Sequence, residues 1–164
     1  MIESRRPLLN LTAESVDKQT MARATLAKEF YVEAANEVAL LGRITSALAT
    51  QNDFIVHLCA YSVGDRGYLQ MIVKDGEKAR KALAHFIPEI EERDVLVVEF
   101  ENRVGTLAEV AKILGNHGIF INYVYGTSGD GFKIVGVFST ADNARAARVI
   151  NEETGTLGSA SQQP

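Results

Sequence analysis

Hydrophobic and polar positions follow a fixed order of periods between Val95 and Tyr125. The stretch begins with apolar residues at every second position, the period of a half-buried strand: Leu96, Val98 and Phe100. It continues with apolar residues at helical spacing: Leu107, Val110, Ala111 and Leu114. A second apolar run, Ile119 to Tyr125, follows at once. The pattern therefore predicts a strand, a tight turn, a helix and a second strand.

The turn before this helix combines a glycine with a predicted helix start. Thr106 and Glu109 have the spacing of a capping box, which predicts that they cap the helix reciprocally. Gly118 follows the helix and can close it in the left-handed conformation. Gly105 permits close approach to the backbone, and the first N–H groups of a helix suit a carboxylate or phosphate. Alternatively, Gly105 serves only to make the turn, and these residues alone leave both interpretations open.

The same pattern occurs earlier in the chain, 66 residues before. This spacing separates Leu41 from Leu107 and Leu48 from Leu114. It also relates Asn36 to Asn102 and Val38 to Val104. A constant spacing of this kind indicates two copies of one supersecondary unit.

Each copy continues with a hairpin and a second helix. The hairpin turns contain Gly64-Asp65 and Gly129-Asp130, and the second helices are predicted over 76–86 and 142–150. Residues 89–93 are expected to add an exposed fourth strand at the edge of the first sheet, whose charges discourage unwanted pairing. The second copy shows no clear final strand, so its sheet has three strands, borrows one, or uses a short one.

The predicted fold class is α+β, with two ferredoxin-like βαββαβ units in tandem and helices on one face of each antiparallel sheet. We expect an N-terminal arm over 1–26, a first unit over 27–92, a second unit over 93–152 and a polar tail over 153–164. A short helix over 12–26 is an alternative for part of the arm. We expect the arm to be dispensable for folding, because its apolar residues follow the period of neither copy.

Composition narrows the classes of function. The net charge of −4 argues against nucleic-acid binding, which needs a basic face. The apolar runs are too short to span a membrane, and no secretory signal is visible. The one cysteine fits a reducing compartment, so a cytoplasmic location is expected.

No constellation predicts catalysis. His57 and Cys59 lie two apart on a predicted strand and face the same side, but two ligands do not close a metal site, so packing is the favoured interpretation. The glycine-rich stretch 126–131 lies between strands and lacks the lysine of a phosphate loop. No nucleophile setting is present. We therefore expect a protein that is not an enzyme and has no catalytic residue, cofactor or metal.

The second copy resembles the ACT domain, a small regulatory module that senses amino acids. The resemblance rests on Asn102-Arg103-x-Gly105-x-Leu107 and on the helix that ends at Gly118 before Ile119-Phe120-Ile121-Asn122. It implies that an amino-acid effector binds where ACT units pair. The implied ligand-binding residues are Asn102, Arg103, Val104, Gly105, Thr106, Leu107 and Asn122.

The sequence departs from the ACT pattern at three positions. Val104 stands where the family has a proline, Ala39 replaces the glycine in the first copy, and Glu37 occupies the place of Arg103. An added Cβ and a negative charge disfavour an anion, so we expect the first site to be degenerate.

The resemblance implies a regulatory protein that binds an effector and signals to a partner such as a regulated enzyme. We expect the chains to form homodimers. The alternative is an assembly module, or a regulatory subunit of an amino-acid biosynthetic enzyme, with no ligand of its own.

Overall fold

The computed structural model describes residues 21–127 and 131–160, with side chains described at 21–126 and 131–155. The elements of the first half are β1 (Ala22–Ala35), α1 (Leu40–Thr50), β2 (Ile55–Val63), β3 (Arg66–Val73) and α2 (Gly76–Leu83). Those of the second half are β4 (Glu91–Glu101), α3 (Thr106–Asn116), β5 (Ile121–Thr127), β6 (Lys133–Thr140) and α4 (Asn143–Ala160). The two halves have the same order of elements, as the repeat in the sequence predicts.

All six strands belong to one antiparallel sheet with the order β2-β3-β1-β4-β6-β5. The expectation that each unit has a separate antiparallel sheet is therefore wrong. The central pair is β1 with β4, in a register that runs from Ala22 opposite Phe100 to Tyr31 opposite Glu91. Each half has three strands of its own, and the first strand of the other half takes the place of the fourth. The second copy thus borrows a strand, one of the alternatives open from the sequence.

The charged stretch 89–93 is not an exposed fourth strand at an edge. Residues 91–93 begin β4 and pair with β1 in the middle of the sheet. The Arg93 guanidinium lies over the Tyr31 ring, 3.5 Å from its centroid, and binds Glu91 at 2.5 Å. The methylene chain of an arginine packs on apolar surface and its planar guanidinium stacks on aromatic rings, which explains how Arg93 fits in the middle of the sheet.

The four helices lie on one face of the sheet and form two apolar clusters. Under α3 and α4 the largest buried side chains are Leu96, Leu114, Phe138 and Ile150. Under α1 and α2 they are Ile44, Leu48, Met71 and Leu83. The opposite face carries a smaller cluster around Ile72, Val95 and Val137. The alternation in β4 produces this division, since Leu96 and Val98 face the helices and Val95 faces away.

Both ends of the described fold differ from the expected boundaries. Strand β1 begins at Ala22, so residues 22–26 belong to the sheet and neither to an arm nor to a helix. Ala22 and Ala24 are buried, so removal of residues 1–26 would take core residues with it. Residues 1–20 lie outside the described part. At the other end, α4 continues to Ala160 and buries Thr154 within the expected polar tail.

The start of α3 also differs from the prediction. The residue that precedes the helix is Gly105, and no side chain caps the helix within the described residues. The Thr106 hydroxyl instead donates to the carbonyls of Glu101 and Arg103, both at 3.0 Å. Glu109 binds Arg103, so the predicted capping box is wrong. The predicted left-handed residue after α3 is confirmed, with φ 64° at Gly118.

Candidate functional site

The turn between β4 and α3 is built around Gly105. This residue has φ 99°, in the region that disfavours any residue with a Cβ. The buried Thr106 fixes the turn from beneath through its two hydrogen bonds. A Cβ at Gly105 would meet no protein atom within 4 Å. The outer side of the turn is thus open, and the first N–H groups of α3 lie beside it.

The polar residues of the turn have partners within the fold. Asn102 donates from Nδ2 to the Gly131 carbonyl at 2.8 Å, which ties the turn to the start of β6. Arg103 binds Glu101 at 3.1 Å and Glu109 at 2.7 Å. These hydrogen bonds raise the pKa of the Arg103 guanidinium. Its positive charge is therefore shared with two carboxylates at the helix start.

An apolar cleft of about 270 Å³ lies beside this turn, between α3 and the β5–β6 pair. Leu107 lines it and is half-exposed, and Phe100 and Val124 also contribute. The cross-strand pair Gly126 and Gly136 forms part of the wall. A Cβ on Gly136 would lie 2.9 Å from the Phe138 ring, so the packing beneath the cleft requires glycine there.

The predicted site residues fall into two groups. Asn102, Arg103, Val104, Gly105, Thr106 and Leu107 lie together at the turn, with Val104 fully exposed. Asn122 lies near the opposite end of β5, where Nδ2 donates to the Ser139 hydroxyl at 3.3 Å. The strand register places that position beside Thr140, whereas the cleft is at Tyr125 and Gly126. Asn122 is therefore not part of the turn site within one chain.

The first copy has a turn of the same shape. Ala39 has φ 68° and precedes α1 as Gly105 precedes α3. A cleft of about 280 Å³ lies beside it, lined in part by Asn36, Glu37 and Leu41. The Glu37 carboxylate binds Arg43 at 3.1 Å. The backbone thus does not distinguish the two turns, and the expected degeneracy rests on the Ala39 methyl and the Glu37 charge.

A second polar arrangement, which the sequence analysis missed, lies on the helix-free face. Glu29 of β1 is completely buried and accepts hydrogen bonds from the hydroxyls of Tyr123 and Tyr125, the latter at 2.7 Å. Both tyrosines belong to β5, which is separated from β1 by β4 and β6. The sheet must therefore curl toward this face. A glutamate in an alternating strand is normally predicted to face solvent, so the sequence contains no signal for the burial of Glu29.

This environment strongly shifts the pKa values of the two tyrosine hydroxyls. Burial, followed by the hydrogen bond to Glu29 and the charge of that residue, raises the pKa of Tyr123 well above its usual value. The same causes, in the same order, raise the pKa of Tyr125. Both hydroxyls therefore remain protonated donors to Glu29.

His57 and Cys59 are half-buried on β2 and line one cleft, so the prediction that they face the same side is confirmed. Burial lowers the pKa of the His57 imidazole and raises that of the Cys59 thiol. In the described part of the chain, no group of three or more histidine, cysteine, aspartate or glutamate residues is arranged to hold a metal ion. No helix there is both long and apolar enough to cross a membrane.

Comparison with known proteins shows which solved structures share this fold. No family model and no curated protein matches the sequence. Among solved structures, protein BT0572 from Bacteroides thetaiotaomicron is 30% identical, with a TM-score of 0.72, over 79% of this chain and 90% of that protein. The ligand-free regulatory subunit of aspartate kinase from Thermus thermophilus is 14% identical, with a TM-score of 0.59, over 80% and 95% of the two chains. The corresponding Thermus flavus subunit is 16% identical, with a TM-score of 0.54, over 81% and 96%.

The chain has the fold of the ACT domain, as the resemblance in the sequence implied. At 30% identity over nine-tenths of BT0572, the chain belongs to the same family as that protein. The aspartate kinase regulatory subunits share the fold.

Proposed function

We propose that this protein is a non-catalytic regulator that binds an amino acid beside the Gly105 turn and signals to a partner protein. The observation that carries the proposal is the open side of this turn, where an apolar cleft and the start of α3 meet. An α-carboxylate suits the N–H groups at the helix start, and the cleft suits an apolar side chain. The binding residues are Asn102, Arg103, Val104, Gly105, Thr106 and Leu107.

Arg103 shapes the charge at this site. Because both Glu101 and Glu109 bind its guanidinium, these three side chains together carry a net negative charge, which disfavours a simple anion and suits a zwitterion whose ammonium offsets it. In the first copy, Glu37 replaces this arginine and leaves a carboxylate beside Arg43. The methyl group of Ala39, at the place of Gly105, also obstructs the approach to the turn, so the first cleft binds the effector more weakly.

The proposal includes a homodimer in which the second copies of two chains meet around the effector. Val104 and Phe132 are almost completely exposed, and Leu107 is half-exposed. Large apolar side chains clustered around one turn are typical of an interaction surface. The matching residues Val38 and Leu41 expose a similar surface in the first copy. Light scattering at micromolar concentration is expected to give twice the mass of one chain, and a monomer with or without amino acids would contradict the dimer.

A second candidate function is that of a regulatory or assembly subunit of an amino-acid biosynthetic enzyme, without an effector of its own. The fold that the chain shares with regulatory subunits of aspartate kinase favours it. Under this candidate the exposed residues around Gly105 bind the enzyme directly. We expect either activity in the cytoplasm.

A thermal-shift screen against the amino acids distinguishes the two candidates. A ligand at one hundred times its dissociation constant stabilises the protein by about 2.7 kcal/mol, which is readily measured. We expect one amino acid, or a small group with apolar side chains, to raise the melting temperature. If none does, the chain has no amino-acid effector, and the assembly candidate replaces the proposal.

A further inference from the structure

A cleft larger than the one beside the Gly105 turn lies between the two halves. It has a volume of about 660 Å³ and runs along β2 of the first half, opposite the end of the β5–β6 pair. Volumes of this size are usual for small-molecule sites. The cleft exists because the sheet curls, which brings the edge strand β2 toward β5 from the other end of the strand order.

The wall of this cleft is fixed by the buried Glu29. Tyr125 lines the cleft, and its hydroxyl donates to Glu29 at 2.7 Å. Cys59 lies on β2, which forms the opposite wall, and burial followed by the charge of Glu29 raises the pKa of its thiol. The cleft is therefore preformed by contacts between the halves, which favours ligand binding because little ordering is required.

The polar groups of the cleft favour an anion on an apolar body. Lys133 is the one charged residue among its described lining residues. The Lys133 ammonium lies 3.6 Å from the Glu99 carboxylate, and both side chains are largely exposed. Such a surface pair contributes little and is readily exchanged for a ligand. Most of the other lining side chains are apolar, among them Val135 and Val137.

The free edge of β2 adds hydrogen-bond donors. This strand is the outermost in the sheet and pairs with β3 alone among the described strands. Its outward N–H groups between Val56 and Ala60 border the cleft. Edge N–H groups and an ammonium together are the groups that recognise a carboxylate.

We propose that this cleft is a second small-molecule site, which takes an organic acid with an apolar body and binds its carboxylate through Lys133 and the β2 edge. The site adjoins the proposed effector cleft, with which it shares Tyr125, Gly126, Ile134 and Val135, and differs from it in Lys133, Cys59 and β2.

Cys59 provides the measurement, since it is the one cysteine of the chain and lies in the cleft. The probes are phenylpropanoate and its neutral amide, phenylpropanamide. In the full-length protein, each is tested for its ability to slow alkylation of Cys59 by iodoacetamide, followed by mass spectrometry. We expect saturable protection by the acid and weaker protection by the amide.

The matched variants are Lys133→Met and Lys28→Met, the second of which removes an exposed lysine paired with Asp94. Lys133→Met is expected to raise the acid concentration for half-protection by roughly tenfold or more, because a charge-assisted hydrogen bond is lost. Lys28→Met is expected to leave it unchanged. The inference is overturned if the acid gives no protection, if acid and amide protect equally, or if Lys28→Met weakens the protection as much as Lys133→Met does. A failure of the amino-acid screen leaves this result unaffected.

Discussion

Ala39 and Gly105 hold the same left-handed backbone conformation at equivalent positions of the two halves, with φ 68° and 99°. Alanine is strained in this region because its Cβ crowds the following carbonyl. Glycine is not strained, but it loses more conformational freedom on folding. The two turns therefore differ in stability in a direction that can be tested.

We expect Ala39→Gly to raise the free energy of unfolding by about 0.5–1 kcal/mol, and Gly105→Ala to lower it by a similar amount. Urea unfolding measures both, and an unchanged dependence on urea concentration verifies that the unfolded state is comparable. The account of the turns is contradicted if Ala39→Gly destabilises the protein.

Glu29 illustrates a different residue-scale effect, since its buried side chain accepts hydrogen bonds from two tyrosines and a buried polar group without partners is costly. We expect Tyr125→Phe to lower the free energy of unfolding by about 1.5–3 kcal/mol, the usual cost of losing a hydrogen bond to a charged group. Tyr61→Phe, at a half-exposed position on β2, serves as the control and is expected to change stability by less than about 0.5 kcal/mol. Equal effects of the two variants would contradict a stabilising role for the Glu29 contact.

The same tyrosines predict how stability depends on pH. The folded state raises the pKa of Tyr123 and Tyr125, so it holds their protons more tightly than the unfolded state. Their contribution is present below the usual tyrosine pKa of about 10 and is lost as the pH rises toward the folded-state value. We expect urea midpoints to fall above about pH 10 in the wild type and less steeply in a Tyr123→Phe/Tyr125→Phe variant. Parallel falls would contradict this explanation.

Among the elements, α4 covers the sheet and also supplies hydrogen-bond partners for backbone groups at the start of β1. The Asn151 side chain accepts from the Ala24 N–H at 2.8 Å and donates to the Ala24 carbonyl at 2.9 Å. Thr154 donates to the Ala22 carbonyl at 2.6 Å. These contacts replace the strand partner that β1 lacks on this side, since β3 pairs only with residues 30–35.

Asn151→Ala is therefore expected to lower the free energy of unfolding by about 1–3 kcal/mol, because two backbone groups of Ala24 lose their partners. Asn116→Ala removes an exposed asparagine from the end of α3 and is expected to have little effect. Chemical denaturation provides the measurement. Equal stability of the two variants would show that water replaces the Asn151 contacts.

At the scale of the whole molecule, the repeat predicted the order of elements but not their assembly. Periodicity reports which face of a strand is buried and does not report which strand lies beside it. Thus the alternation in β4 predicted its helix-facing side correctly, whereas its pairing with β1 was not foreseen. The sequence pattern does not assign residues 22–26 to the first unit. They form a strand by pairing with β4 of the second half, and this pairing is not visible in the local sequence.

The candidate site, like the fold, was predictable from the sequence only in part. The glycine turn and Leu107 were identified from a local motif, because neighbouring residues build the turn. Asn122 was grouped with them by family resemblance, but the register of β5 places it elsewhere. The Glu29 contacts and the cleft beside β2 depend on curling of the sheet, which no local pattern encodes.

The central claim is that an amino acid binds at the Gly105 turn, and isothermal titration calorimetry of a matched pair of variants tests it most directly. Gly105→Ala adds a methyl group that meets no protein atom within 4 Å, whereas Ala39→Gly removes one from the equivalent turn. With the amino acid found by thermal shift, we expect Gly105→Ala to weaken binding about tenfold, or roughly 1.4 kcal/mol, and Ala39→Gly to leave the second-copy affinity unchanged. Binding that survives Gly105→Ala at wild-type affinity would contradict the claim.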